Sequence, residues 1–168
     1  MNSQIEVYAN ITGFSNYQIS NHGNVKIIRT GKIMKPAKSG HGYLSVILCN
    51  DGDRSTKCIH KMVALSFIPN PDNKAIVDHI SRDKLNNHIS NLRYASSTEN
   101  NQNRSIGFNN TSGIVGVSFH KASQKWTAQI FVNGLKKHLG SFDDKNDAIT
   151  ARQEAEMTYF GEYRAQTI

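Results

Sequence analysis

The chain has 168 residues, 38% of them hydrophobic, which suits one ordinary domain or two or three very small ones with modest cores. Twenty Lys and Arg against thirteen Asp and Glu give a formal charge of +7 and a pI near 9.5, favouring a polyanionic partner such as nucleic acid or an acidic membrane surface. No stretch approaches the roughly 18 to 20 consecutive apolar residues of a membrane span, and the opening MNSQIEVYAN lacks the basic and apolar regions of a secretory signal. A soluble, intracellular protein with no membrane partner is expected, and Cys49 and Cys58, which lack Cys-x-x-Cys spacing, read as free thiols.

In chain order, the first third offers short strand-like runs between turn signals: NYQIS before NHGN, then NVKII, then GYLSVIL before NDGD. They define a small β-rich module over residues 1–55, with six Lys and Arg against three Asp and Glu, or +3. Lys26, Arg29, Lys32, Lys35 and Lys38 cluster there. A solvated basic loop is one reading of the cluster and nucleic-acid contact the sharper one, with Lys26 and Arg29 as expected contacts. KCIHKMVALSFI follows, where Ile59, Met62, Val63 and Phe67 recur at helical spacing until Pro69 and Pro71 end the element. His60, beside that apolar face, is expected to be packed or capping rather than catalytic.

Residues 77–103, VDHISRDKLNNHISNLRYASSTENNQN, hold an Asp-His pair and six asparagines. AIVDHI has a strand's composition, SRDKLNNHIS reads as a loop, and NLRYA as a second short strand. Ser96 and Glu99 have capping-box spacing and start a helix just before Asn100. ENNQN is a poor helix former, so packing or a metal ion must hold that helix. A strand pair followed by a helix can bring Asp78 near Asn100, whose oxygen donors suit magnesium or manganese. With one formal charge, such a site binds an ion weakly until substrate phosphate completes its shell. His79 points to the other side of the strand, and an unperturbed imidazole, titrating near pH ~6.5, serves as a general base toward water. This set supports metal-assisted phosphodiester hydrolysis. Turn residues bonding their own backbone explain the same positions, and spacing leaves both readings open.

The segment QNRSIGFNNTSG has linker composition, placing a boundary near residue 105. Beyond it IVGVSF, KWTAQIFV and LKKHLGSF read as three antiparallel strands, with Asn133-Gly134 as a hairpin turn. DDKNDAITARQEAEMTYFG reads as a helix with Ala148, Ala151, Ala155 and Tyr159 on one face. Residues 105–142 carry four lysines and no acid, whereas 143–168 carry three basic and six acidic residues, so the sheet should face a polyanion and the helix away from it. Alternation sets Trp126, Ala128, Ile130 and Val132 on the helix side, and Lys125, Thr127, Gln129 and Phe131 on the other.

The pattern Asp78-His79, Asn91 and Asn100, set in VDHI, LNN, SNLRYAS and ENN, resembles the HNH nuclease motif of phage-type and intron-encoded homing endonucleases, and IHKMVALSFIPNP resembles the helix ahead of it. The resemblance implies a ββα-metal core over about 56–104 with one Mg2+ (or Mn2+) ion per active site. In it Asp78 and Asn100 match the metal ligands, His79 the general base, and Asn91 the residue that braces the loop and helps hold the His. Asn86, Asn87, Asn101 and Asn103 are left for turns, phosphate contact or solvent, and His88 for a loop or phosphate contact. Arg82, Lys84 and Arg93, around the motif, are expected on DNA.

ITGFSNYQISNHGNVKII resembles the nuclease-associated module found ahead of this motif. The segment from SGIVGVSF to TYFGEY resembles the Apetala-type DNA-binding domain of plant ethylene-response factors, whose sheet enters the major groove. Matching positions put Ser118, His120, Lys125, Gln129, Phe131, Lys136 and His138 on the DNA face. Several of these hold Arg, Glu or Trp in the plant proteins, so the plant target does not transfer.

The expected fold is therefore α+β: a ββα-metal nuclease core (56–104) flanked by the β-rich module (1–55) and, after a linker (105–112), by a three-stranded antiparallel sheet packed on one helix (113–168). The expected function is site-specific cleavage of double-stranded DNA, as a monomer on DNA rather than an obligate oligomer, in the cytoplasm of a bacterium hosting a phage or mobile element. A non-catalytic, sequence-specific DNA-binding regulator with the same modules is the alternative, and cleavage of structured RNA a third, disfavoured because A-form RNA buries its major groove.

Overall fold

The computed structural model describes residues 5–103 and 106–164. Ser105, at the start of the expected linker, and residues 165–168, at the end of the expected closing domain, lie outside the described residues. The chain forms two compact units that divide between Ser97 and Thr98. Among the described residues no helix is long and apolar enough to cross a membrane.

In the first unit, β1 (Tyr8–Ile11), β2 (Phe14–Ser20) and β3 (Val25–Ile27) form one antiparallel sheet in that order. A second sheet joins β4 (Ala37–Lys38), β5 (Leu44–Asn50) and β6 (Asp53–Cys58). Asp51 and Gly52, with φ of 51° and 92°, make the two-residue turn between β5 and β6. α1 (Ile59–Phe67) follows directly, and β7 (Ile76–His79) pairs antiparallel with β8 (Leu92–Ala95).

The apolar pattern explains the packing. On β5, Val46 and Leu48 are buried and Ile47 between them is exposed, the period-2 signature of a one-faced strand. On α1, Ile59, Met62 and Val63 face inward and Leu65 outward. All of these inward residues join one core with Ile19 and Val25 from β2 and β3 and Leu92 from β8. The segments read from sequence as residues 1–55 and 56–104 thus share a single core, since each alone has few apolar residues to bury. β6 and β1 stand outside the strand-like runs read from the sequence. β6, DRSTKC, is mostly exposed, and its extended state follows from its ladder with β5 rather than from its composition.

α2 (Ser97–Gln102) crosses the division between units, beginning one residue after Ser96, where the capping-box spacing sets it. β7, β8 and α2 therefore follow in the ββα order. In the second unit β9 (Val117–His120), β10 (Lys125–Val132) and β11 (Leu135–Phe142) form an antiparallel sheet with β10 central, turned between β10 and β11 by Asn133-Gly134. α3 (Lys145–Phe160) starts from Asp144, whose carboxylate accepts the Asn146 N–H at 2.6 Å. Its inward residues Ala148, Ala155 and Phe160 pack with Ala128 and Ile130 of β10.

One irregularity departs from strict alternation. Ala128 pairs with Gly140 but Gln129 with His138, so Leu139 is an extra residue on β11. The bulge lets Leu139 and Phe142 both pack on the helix side. Gly140, at φ 148°, is required there, because an added Cβ would lie 2.6 Å from the Phe142 ring.

Candidate functional site

The end of β7 presents Asp78 and His79 to opposite faces, and both are buried, at 7% and 4% exposure. Asp78 stands opposite Arg93 in the β7–β8 ladder, so the two side chains share a face. Arg93 donates from Nε and Nη2 to Asp78 Oδ2 at 3.0 and 2.9 Å. A guanidinium so placed offsets part of the desolvation of a buried carboxylate. Arg93, expected on DNA, is turned onto Asp78, its side chain 11% exposed.

His79 Nε2 lies 3.1 Å from Asn87 Oδ1, and Asn87 Nδ2 donates to the Leu85 carbonyl at 3.1 Å, which fixes the amide's orientation. An amide oxygen only accepts, so this contact puts a proton on Nε2 of the neutral ring. Tyr43 and His60 pack against the imidazole with centroid separations of 5.8 and 5.1 Å, and are 4.7 Å from each other. Burial pushes His79 below the ordinary imidazole value of 6.5, partly offset by the Asn87 bond and the Asp78 and Asp83 carboxylates. Burial, followed by the neighbouring His79 and Lys61, pushes His60 down to about 4. His60 is thus packed, as its place on an apolar helix face suggests, and its Nδ1 has no hydrogen-bond partner among the described residues.

Asn91 closes the loop that follows His79. Its Oδ1 accepts the Ser81 N–H at 2.9 Å, its Nδ2 donates to the Asn86 carbonyl at 2.8 Å, and its own carbonyl accepts the Ile80 N–H at 2.8 Å. These three bonds tie Ile80, Ser81 and Asn86 to one side chain and its backbone. The amide on His79, however, belongs to Asn87, which sequence reading left for a turn, phosphate or solvent. The available signal was the Leu85-Asn86-Asn87 portion of the motif. Tyr43 and the ring contact of His60 with His79 had no comparable signal.

Asn100 is half-buried in α2. Among the described residues no cluster of three or more His, Cys, Asp or Glu could hold a metal ion. The Asp78 carboxylate and the Asn100 amide oxygen are each hard oxygen donors, of the kind that suits a magnesium-like ion.

The remaining sequence-selected residues fall in two places. In the first unit, Lys84 Nζ donates to the His41 carbonyl at 3.1 Å and lies 4.6 Å over the Tyr43 ring. Arg82 is half-buried with φ 65°, Lys26 Nζ sits 3.8 Å over the Tyr8 ring, and Arg29 is exposed. On the second unit's open sheet face, Ser118, His120, Phe131, Lys136 and His138 are exposed, and Lys125 and Gln129 half-buried. Gln129 pairs with His138 and Phe131 with Lys136, forming a cross-strand strip, while Lys125 makes a surface ion pair with Asp143 at 3.0 Å. Beneath the strip, buried Arg152 donates from Nη1 to the Gln129 carbonyl at 2.8 Å and pairs with Glu156 at 2.8 Å.

Family models match two segments: residues 6–49 match the NUMOD4 motif and residues 57–102 match HNH endonuclease. Two uncharacterized HNH endonucleases of Acanthamoeba polyphaga mimivirus are 47% identical over 55% of this chain and 33% identical over 80% of it. The chain spans only 24% and 37% of their lengths. DNA endonuclease I-HmuI of Bacillus phage SP01 is 32% identical over 80% of this chain and 78% of its own length. The solved structure of that HNH homing endonuclease, described as DNA binding and cleavage, superposes with a TM-score of 0.57 at 23% identity over 93% of this chain and 91% of the other, a likeness of fold.

Proposed function

The chain belongs to the HNH endonuclease family, and from that premise we propose that it is a site-specific, divalent-metal-dependent endonuclease of the homing type, hydrolysing phosphodiester bonds of double-stranded DNA. The observation that carries this reading is the end of β7, where Asp78 and His79 are each buried and each held by a dedicated partner, Arg93 and Asn87. His79, neutral at pH 7 because burial lowers its proton affinity, takes the proton of the attacking water as that water's oxygen attacks phosphorus and the leaving oxygen departs. Asn91 keeps the loop closed so that the imidazole and its Asn87 partner stay in place. Asp78 and Asn100 would hold one Mg2+ or Mn2+ ion, which when bound supplies charge stabilisation at the phosphate and leaving oxygen. The open sheet face of the second unit, which resembles the plant ethylene-response DNA-binding domain, reads the target in the major groove through Gln129, His138, Phe131 and their neighbours.

The test is cleavage of a supercoiled plasmid carrying the gene's flanking DNA, with magnesium or with chelator, beside His79→Ala. Wild-type protein should nick or linearise the plasmid only with the ion, and the variant should bind without cutting. Equal cleavage by the variant would remove His79 as base, and binding without cleavage under every ion would leave a DNA-binding regulator.

A further inference from the structure

The first unit carries a basic cleft of about 530 Å³ between the 39–43 turn, which joins β4 to β5, and the 82–85 loop. Lys38 and His41 line one wall, Arg82 and Lys84 the other, and Asp83 is the single acid among them. The Asp83 carboxylate is already engaged, its Oδ1 accepting the Leu85 N–H at 3.0 Å. The cleft therefore presents an excess of cations, with Gly40 keeping the turn's wall low.

Both walls are fixed, and both lead to His79. Within the turn, Ser39 N donates to the Tyr43 carbonyl at 2.8 Å and Gly42 N to the Ser39 carbonyl at 2.9 Å, with Gly42 at φ 86°. The facing loop is tied to β7 by Arg82 N, which donates to the His79 carbonyl at 2.8 Å. Lys84 spans the two walls through its bond to the His41 carbonyl, and Tyr43 at the turn's end packs on the His79 ring. A ligand held in the cleft is thereby placed relative to His79.

We propose that this cleft grips backbone phosphates of the DNA strand presented to His79, so that the N-terminal β-rich segment is part of the nuclease centre rather than only a recognition module. The inference rests on the endonuclease reading for the identity of the strand. An open, cation-lined cleft with fixed walls suits phosphate oxygens, and such contacts position a duplex without reading its sequence. The two walls lie in different family segments, 6–49 and 57–102, so neither segment alone contains the grip.

The experiment uses the full chain with Lys38→Ala and Gly40→Glu, the latter at a position where an added Cβ meets nothing within 4 Å. Arg54→Ala, which removes an exposed cation outside the cleft, is the control for net charge. Binding to a duplex oligonucleotide is read by fluorescence anisotropy across a salt series with chelator present, and plasmid cleavage is then followed with magnesium. Lys38→Ala should lower the slope of log affinity against log salt by about 0.9, one phosphate contact. Gly40→Glu should weaken binding further and slow cleavage in parallel, with circular dichroism unchanged. Wild-type slopes and affinities in both variants, or an equal loss in Arg54→Ala, would overturn the clamp. Should wild-type protein bind DNA yet never cut it, the nuclease reading falls, and the salt slopes still decide whether the cleft holds phosphate.

Discussion

The two units place their polar residues in opposite ways. In the first, Asp78, His79, Asn87 and Asn91 are 7%, 4%, 4% and 6% exposed, each with a named hydrogen-bond partner. In the second, Ser118, His120, Lys136 and His138 are exposed on an open sheet face, and the buried Arg152 works beneath it on the Gln129 carbonyl. A group that moves a proton needs its orientation and ionisation fixed, which burial and a dedicated partner achieve. A surface that meets a polyanion keeps its charges hydrated until contact, when counterions are released. Damage to the buried residues around His79 should therefore appear in rate and stability, and damage to the open sheet face of the second unit in affinity and site preference.

The largest expected effect tests the catalytic side. His79→Ala should lower the single-turnover cleavage rate by about 10²–10⁴-fold with duplex affinity unchanged, and Asn87→Ala should lower it less, again without loss of binding. A weakened Kd with an unchanged rate would erase the contrast between the units. Next, Arg93→Ala leaves the Asp78 carboxylate without its guanidinium, and urea unfolding should report a loss approaching about 3–5 kcal/mol in the first unit. Lys125→Ala, which breaks an exposed pair, should leave stability nearly unchanged.

A pH series sharpens the same division. His60 has a folded value of about 4 against an ordinary 6.5, so below pH 6.5 the unfolded chain binds a proton that the folded chain refuses. The associated stability is complete above 6.5 and is lost as the pH falls toward 4, on the order of 3 kcal/mol in all. Chemical unfolding at pH 7 and pH 5 should show this loss in wild-type protein, and His60→Phe should show less of it. Smallest are the changes on the open sheet. Lys125→Ala should reduce the salt slope of DNA binding by about 1, and Gln129→Ala should relax base preference by about 1–3 kcal/mol at one position. Competition binding against randomised duplexes separates the two; identical preference in both variants would mean that this face positions DNA without reading it.

Much of the architecture was legible because it rests on local signals. Asn133-Gly134, the alternation Trp126, Ala128, Ile130, Val132, and the spacing of Ile59, Met62 and Val63 each name an element and its buried face. The strand ending at Asp78-His79 and the helix starting after Ser96 were legible for the same reason. β6 was not, because its polar sequence is extended only by pairing with β5. The bulge at Leu139 was not, because it answers to the packing of Phe142 on α3 rather than to any turn residue.

At the site, the sequence by itself determined the residue types: a carboxylate, an imidazole and several amides at the spacing of one strand, one loop and one helix. It could not decide which amide meets the imidazole. Asn86 is exposed, Asn87 touches His79 and Asn91 ties the loop, though all three are the same residue within six positions. Only the loop's path in space distinguishes them. The same holds for Arg93, which the β7–β8 register sets across from Asp78, a partner that its charge alone does not name. Tyr43 and His60 reach His79 from the 39–43 turn and from α1, elsewhere in the chain, because one shared core folds those segments together. Residue type and local period are properties of short windows, whereas burial and partnership are set by contacts distant in sequence.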